Sequence, residues 1–300
     1  MEQGHAFYAK KKVLVTGGAG FIGSHLVEKL VAYGAQVTVL DNFSTGNLGN
    51  LKSVISSVNL LYADVRSSYG CLKAATHQEM VFHLASFVSV PESIKHPELC
   101  SNINVNGTRN LLEACVKNNV KTFIFSSSSA IYGNKEGICS EDDTPNPQSP
   151  YAYSKWEAEN LVREYTKQFG LQSAMLRYFN VHGPRQNPNG QYAAVVARFT
   201  NQLMNNQPLI IFGDGTQTRD FVPVASVVEA NLTVARQPTL NAEVLNIGSG
   251  TSINLLQLVE QLEKQLNVSR VDVQFEPARQ GDIHHSQARC EKYQKFVQAQ

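Results

Sequence analysis

The 300-residue chain carries 26 Lys and Arg against 25 Asp and Glu, a formal charge of +1, so it offers neither a basic footprint for nucleic acid nor an acidic tail. With 42% hydrophobic and 17% charged residues, it has apolar mass for a sizeable core and too little charge for a disordered chain. Its length suits one large α/β unit or two domains sharing a core. The cysteines Cys71, Cys100, Cys115, Cys139 and Cys290 are odd in number and scattered. They show no C-x-x-C spacing for zinc or a redox pair, and read as reduced thiols in a cytoplasmic protein without a metal. After Lys10-Lys11-Lys12 only Val13-Leu14-Val15 precedes a glycine cluster, too short for a secretory segment, and no apolar stretch has the length of a membrane span. No membrane partner is expected.

In chain order, β-branched runs predict strands at Val13 to Thr16, Gln36 to Leu40, Asn59 to Tyr62, Met80 to Leu84, Thr122 to Ser126 and Gln172 to Leu176. Between them, Ile22, Leu26 and Leu30, flanked by Val27 and Val31, place an apolar stripe on one helix. Leu111, Leu112, Cys115 and Val116 do so on another. A further helix is expected from Tyr151 to Phe169, just after Pro150. The alternation predicts an α/β, Rossmann-like, doubly wound parallel sheet. Beyond Arg177 the chain loosens into Asn-, Pro- and Gly-rich loops, with helices expected at Val224 to Ala235 and Ser252 to Leu266. This part is expected to form a smaller α/β substrate-binding C-terminal region. The division is 1–180 for the Rossmann domain, with returning segments near 220–250, and 181–300 mainly for substrate.

Thr16-Gly17-Gly18-Ala19-Gly20-Phe21-Ile22-Gly23 joins the first strand to the first helix. Glycines there allow a tight turn, close approach of a pyrophosphate to backbone N–H groups at Phe21 and Ile22, and close helix–sheet packing. Asp41 ends the second strand, 18 residues after Gly23, where a carboxylate accepts from both hydroxyls of an adenosine ribose and repels a 2′-phosphate. NAD is therefore the expected cofactor. Asp64-Val65, after the third strand, is placed to reach the adenine edge.

Phe125-Ser126-Ser127-Ser128-Ser129-Ala130-Ile131-Tyr132-Gly133 follows the fifth strand, and Pro150-Tyr151-Ala152-Tyr153-Ser154-Lys155 opens the next helix. Tyr151 and Lys155 are four apart and share a helix face. A nearby ammonium, together with the positive nicotinamide ring of a bound NAD, favours phenolate and can lower a tyrosine pKa from about 10 toward neutrality, which makes Tyr151 a usable general base, with Ser128 bonded to the same substrate oxygen. In these motifs, over essentially its whole length, the chain resembles the extended short-chain dehydrogenase/reductases and, among them, the nucleotide-sugar epimerases. The resemblance implies catalytic Ser128, Tyr151 and Lys155. It implies further cofactor contacts from Asn42, Ser44, Thr45, Gly46, Leu84, Ala85, Asn104 and Phe179, a UDP-sugar as substrate, and a homodimer built on the helices near Leu111 and Tyr151.

Related dehydratases and decarboxylases carry an acid within two positions after the catalytic Ser or Thr, where this chain has Ser129 and Ala130. Neither moves a proton at an adjacent carbon, so the resemblance implies 4-epimerisation through a transient 4-keto sugar. Arg177-Tyr178-Phe179-Asn180, Gln217-Thr218-Arg219-Asp220 and Arg279-Gln280-Gly281-Asp282 resemble the substrate segments. Asn180 is implied to hold the diphosphate or sugar, Arg219 and Arg279 the diphosphate through planar guanidinium groups, Asp282 the nucleoside, and Phe212 to pack on uracil. Ala194, Val195 and Gln186 match the branch that takes N-acetylated sugars, whereas Val88 replaces a frequent glycine. Ser286, seven residues after Arg279, stands where related enzymes confined to glucose and galactose carry tyrosine. The favoured pair is UDP-N-acetylglucosamine/UDP-N-acetylgalactosamine, with UDP-glucose/UDP-galactose also open. The alternatives are a UDP-glucuronate 4-epimerase, in which Arg185 would meet the C6 carboxylate, and a non-catalytic NAD-binding regulator. His83 and the His284-His285 pair are expected to be structural.

Overall fold

A computed structural model describes residues 2–188, 195–268, 271–278 and 283–298. Its elements begin with helix α1 (Glu2–Tyr8), followed by β1 (Lys12–Thr16), α2 (Phe21–Ala32), β2 (Gln36–Asp41), β3 (Val58–Tyr62), α3 (Ser68–Ala75) and β4 (Met80–His83). Two short helices, α4 (Val90–Lys95) and α5 (Pro97–Ser101), lead through a π-helical turn at Asn102–Asn106 into α6 (Gly107–Lys117). Next come β5 (Thr122–Ser128), α7 (Pro150–Phe169) and β6 (Gln172–Tyr178). The expected strands are all present; β5 and β6 run two residues further than their β-branched cores, because Ser127 and Ser128 continue in register with Arg177 and Tyr178.

The sheet has seven strands, including β11 (Asn241–Ile247), in the order β11-β6-β5-β4-β1-β2-β3. All neighbours are parallel. The order reverses between β1 and β4, and the carboxyl ends of those strands form the crevice where such sheets bind ligands. Parallel strands buried on both faces need helices on each. One face packs Val13, Val15, Val37 and Val39 with Leu26, Val27 and Leu30 of α2 and Val227 and Val228 of α9 (Val224–Ala235). The other packs Leu14, Phe123, Phe125 and Met175 with Leu111, Leu112, Ala158, Leu161 and Val162 of α6 and α7. Helix α7 starts cleanly because Ser149 accepts from Ala152 N–H and Pro150 occupies the first turn; Gly170, at φ 69°, ends it.

The remaining elements are β7 (Asn180–His182), α8 (Val195–Met204), β8 (Leu209–Phe212), β9 (Thr218–Arg219), β10 (Phe221–Pro223), β12 (Ile253–Asn254), α10 (Leu255–Leu266), β13 (Val273–Glu276) and α11 (Glu291–Gln298). A separate small core gathers Phe199, Leu203, Leu209, Ile211, Leu258, Val259 and Leu262. Helix α10 begins at Leu255, later than its apolar period suggests, because Asn254 and Gln257 form a reciprocal cap and Ile253–Asn254 pair with β9. Among the described residues no helix is long and apolar enough to cross a membrane.

Candidate active site

The glycine loop lies at the β1/β4 reversal. A Cβ on Gly17, whose φ is +68°, would sit 2.7 Å from Ala85 N, and one on Gly23 would sit 2.1 Å from Gly17 O. Both positions exclude a side chain, so α2 approaches the loop closely. Gly20 precedes α2 without a side-chain cap, and no acidic residue stands in the first turn, which leaves N–H groups and the positive helix end for a pyrophosphate at Phe21 and Ile22. Asp41 is buried; one oxygen accepts from Ala19 N at 2.9 Å and the other from Phe43 N at 2.8 Å. Gly46 closes over this carboxylate, a Cβ there falling 2.8 Å from Asp41 Oδ1. Backbone donors fix the carboxylate and leave lone pairs for ribose hydroxyls. The cradle and its acid fit a dinucleotide.

Other expected cofactor residues divide into two groups. Leu84 and Ala85 follow β4 beside the glycine loop, with Ala85 N donating to Thr16 Oγ1 at 3.2 Å. Asn42 donates to Asp64 Oδ2 at 2.8 Å and accepts from Ser44 N, while Ser44 and Thr45 are exposed. Asp64 is also gripped by both side-chain arms of Arg66, which holds its carboxyl well down, at about 2. Val65 is buried against Gly107. Asn104 is buried with its amide committed: Oδ1 accepts from Phe87 N at 2.7 Å, and Nδ2 donates to Phe87 O and Ser154 Oγ. It ties the segment after β4 to α7 at the residue before Lys155.

The carboxyl end of β5 and the first turns of α7 bring Ser128, Tyr151 and Lys155 together. Ser128 Oγ accepts from Ala130 N at 3.2 Å and lies close enough to Tyr151 to oppose the rise in its pKa. Lys155, only 3% exposed, donates to Ser126 O at 2.8 Å and lies 5.0 Å over the Phe125 ring. Burial pulls its ammonium down to about 7, with Cys100 and Glu159 opposing. Burial pushes Tyr151 up to about 12, with Ser128 opposing. The lowered Tyr151 expected from an ammonium and a nicotinamide acting together is not a property of the protein alone, where desolvation outweighs Ser128 and the Lys155 ammonium is directed at Ser126 O.

Glu159, two turns beyond Tyr151, is fully buried. Its Oε1 accepts from Ser127 Oγ at 2.6 Å and Arg177 Nε at 2.8 Å; its Oε2 accepts from Arg177 Nη2 and Arg163 Nη2, each at 2.8 Å. These partners hold the carboxyl below its ordinary value against the opposing effect of burial. Sequence reasoning missed this residue, although an acid four positions after Lys155 on a helix face otherwise lined by Ala158, Leu161 and Val162 was a visible signal. Asp220 was missed in the same way. Its buried carboxylate accepts from Ser249 N, Ser249 Oγ, Gly250 N and Ala288 N, and its carbonyl accepts from Asn180 N and Nδ2.

Asn180 is therefore anchored on the Asp220 hub, with Arg219 the residue before Asp220 in sequence. Arg219 donates to Thr218 O at 2.9 Å, and Ser286 is buried two residues before Ala288. Phe179 is buried with its ring 6.3 Å from that of Tyr132, and half-buried Phe212 has the Arg198 guanidinium 5.3 Å from its ring. Val195 opens α8 and packs on the small core. Ala194, Arg279 and Asp282 lie outside the described residues. Arg185 donates to Ser24 Oγ at 3.1 Å and Glu28 Oε1 at 2.7 Å, so its charge is spent on α2. Gln186 donates to Val181 O, and Val88 is exposed. His83 is buried between Thr16 and Thr108; among the described residues no cluster of His, Cys, Asp and Glu could hold a metal.

Residues 13–248 match the profile of the NAD dependent epimerase/dehydratase family. A UDP-N-acetylglucosamine 4-epimerase from Methanobrevibacter ruminantium, solved with UDP-N-acetylmuramic acid, superposes with a TM-score of 0.91 at 37% identity, covering 96% of this chain and 92% of that one. The Thermotoga maritima UDP-glucose 4-epimerase with UDP-glucose gives 0.90 at 37%, covering 95% and 91%. The Thermus thermophilus UDP-glucose 4-epimerase complex with NAD gives 0.87 at 35%, covering 94% and 92%.

Proposed function

The chain belongs to the NAD-dependent epimerase/dehydratase family and is an NAD-dependent UDP-sugar 4-epimerase; on that premise we propose that its preferred pair is UDP-N-acetylglucosamine/UDP-N-acetylgalactosamine, with UDP-glucose/UDP-galactose also accepted. The observation that carries the preference is Ser286, a small buried side chain held beside the Asp220 hub that also anchors Asn180. A tyrosine there would fill the space that an acetamido group needs. The UDP-glucuronate reading loses its cation, because Arg185 is paired with Glu28. The regulator reading is disfavoured by a fully assembled Ser128, Tyr151 and Lys155.

In this reading Ser128 and Tyr151 meet the C4 hydroxyl, Tyr151 accepts its proton, and Lys155 supplies the adjacent positive charge. NAD held by the Gly17–Gly23 loop and Asp41 would supply reversible hydride exchange at C4 and a positive charge to favour the phenolate of Tyr151, which desolvation keeps protonated in the protein alone. Elimination or decarboxylation needs another acid or base at a neighbouring carbon. Among the described residues, the carboxylate that bears on Lys155 is Glu159, and both its oxygens are occupied by Ser127, Arg177 and Arg163. Ser129 and Ala130 offer none. Asn180, Arg219 and Arg279 hold the sugar and diphosphate, Phe212 and Asp282 the nucleoside, and Ala194 and Val195 border the sugar.

We also propose a homodimer through α6 and α7, supported by Tyr153 and Leu99, which are 59% and 40% exposed on α7 and on the neighbouring α5. A cytoplasmic location is supported by five free cysteines. The test is incubation of the purified protein with UDP-N-acetylglucosamine, UDP-glucose and UDP-glucuronate separately, with proton NMR following C4 configuration. An equilibrium mixture from the N-acetylated sugar supports the proposal. Conversion of UDP-glucuronate alone, or of UDP-glucose alone, refutes the preference.

A further inference from the structure

We propose that Glu159 is a positioning residue of the reaction centre, acting through Ser127 to fix the end of β5, and with it Ser128, at its working distance from Tyr151 and Lys155 on α7. The inference rests on the assignment of those three residues above and asks what holds them in place. They come from two different elements, a strand and the helix packed on it. Ser128 is the last residue of β5, where the strand turns away. Tyr151 and Lys155 lie in the first two turns of α7. A small slide of helix against strand moves Ser128 relative to Tyr151, and a misplacement of about 1 Å costs on the order of 10²-fold in rate.

Apolar contacts do not set that register closely, since they tolerate sliding; directional bonds do. Tyr151, Lys155 and Glu159 recur every four residues on one face of α7. Ser127 and Arg177 are paired neighbours on β5 and β6, and both side chains bond Glu159, Ser127 at 2.6 Å and Arg177 at 2.8 Å. One carboxylate thus pins the helix to two adjacent strands at the residue before Ser128. Arg163, one turn on along α7, takes the other oxygen. A buried carboxylate is expensive unless fully bonded, and an apolar side chain would pack this face without that cost. Glu159 has every oxygen bonded, and the strand end it grips is the catalytic one.

The mild test is Ser127→Ala, which removes the bond to the strand end and leaves the Glu159–Arg177 pair intact. We expect kcat on UDP-N-acetylglucosamine and UDP-glucose to fall about 5- to 10-fold with KM within about 2-fold, because Asn180 and Arg219 are untouched. Glu159→Gln should lower kcat further, about 50-fold, again with little change in KM. Thermal unfolding of each variant establishes that the protein is folded at the assay temperature. If Glu159→Gln does not fold, Ser127→Ala decides alone. A Ser127→Ala enzyme with wild-type kcat, or one whose loss lies in KM, overturns the inference. Tyr151→Phe run alongside separates the two levels: full activity there sinks the assignment of the centre, whereas an inactive Tyr151→Phe with a normal Ser127→Ala sinks only the role of Glu159.

Discussion

His83 gives the molecule a stability that drains away in mild acid. The ring is fully buried at the end of β4, with Nδ1 2.7 Å from Thr16 Oγ1 and Nε2 3.0 Å from Thr108 Oγ1. Thr108 donates its own proton to Asn104 O at 2.5 Å, so it can only accept from the ring. Nε2 therefore carries the hydrogen and Nδ1 accepts from Thr16, which defines a neutral tautomer with no site for a second proton. Burial, reinforced by the Lys155 charge, holds the pKa down at about 3, against 6.5 unperturbed. The unfolded chain binds a proton below 6.5 that the folded protein refuses, so the contribution is intact above that value and is lost as pH falls from 6.5 towards 3. The slope approaches about 1.4 kcal/mol per pH unit. Between pH 7.5 and 5.0 the loss amounts to about 2 kcal/mol.

Urea denaturation of the wild type and of His83→Gln across that range isolates the effect, because every other titrating group is common to both. Glutamine keeps a donor for Thr108 and an acceptor for Thr16. The stability difference between the two proteins should shift by about 2 kcal/mol in favour of the variant on going from pH 7.5 to 5.0. A difference that stays constant with pH refutes the neutral buried ring.

Four further outcomes follow from the same structure. Tyr151→Phe should abolish epimerisation while UDP-sugar affinity, measured by calorimetry, stays within a few-fold, since only the proton acceptor is lost; sustained turnover refutes its role. Ser286→Tyr should depress activity on N-acetylated sugars far more than on UDP-glucose, and equal losses on both would remove this position from the specificity argument. Gly23→Ala sets a Cβ 2.1 Å from Gly17 O and should eliminate NAD binding as read by equilibrium dialysis. Glu159→Ala leaves Arg177 buried and unpaired and should cost about 3–5 kcal/mol in denaturant unfolding, whereas paired replacement of both by methionine should recover most of it.

The six strands and the main helices of the first half were readable because each obeys a local rule. Val13 to Thr16 and Thr122 to Ser126 are β-branched or buried runs, and Leu111, Leu112 and Cys115 repeat with a helical period. The cofactor site was equally legible, since Gly17, Gly20, Gly23 and Asp41 act through backbone geometry written into a short span. Glu159 and Asp220 were not, because each works by bonding partners brought from distant segments, and a side chain's partners are absent from its own segment. For the same reason Arg185 looked like an available cation until the fold set it against Glu28.

The sequence by itself determined the parallel sheet, the dinucleotide loop and the Ser128, Tyr151 and Lys155 set, since helix and strand periods and i, i+4 spacing are local properties of the chain. Only the tertiary structure decided the electrostatics. Spacing predicted a tyrosine lowered by a neighbouring lysine and a bound nicotinamide; in the protein alone the fold desolvates both side chains, raising Tyr151 to about 12 and lowering Lys155 to about 7. Desolvation depends on everything packed around a group, and that sum exists only once the chain has closed over it.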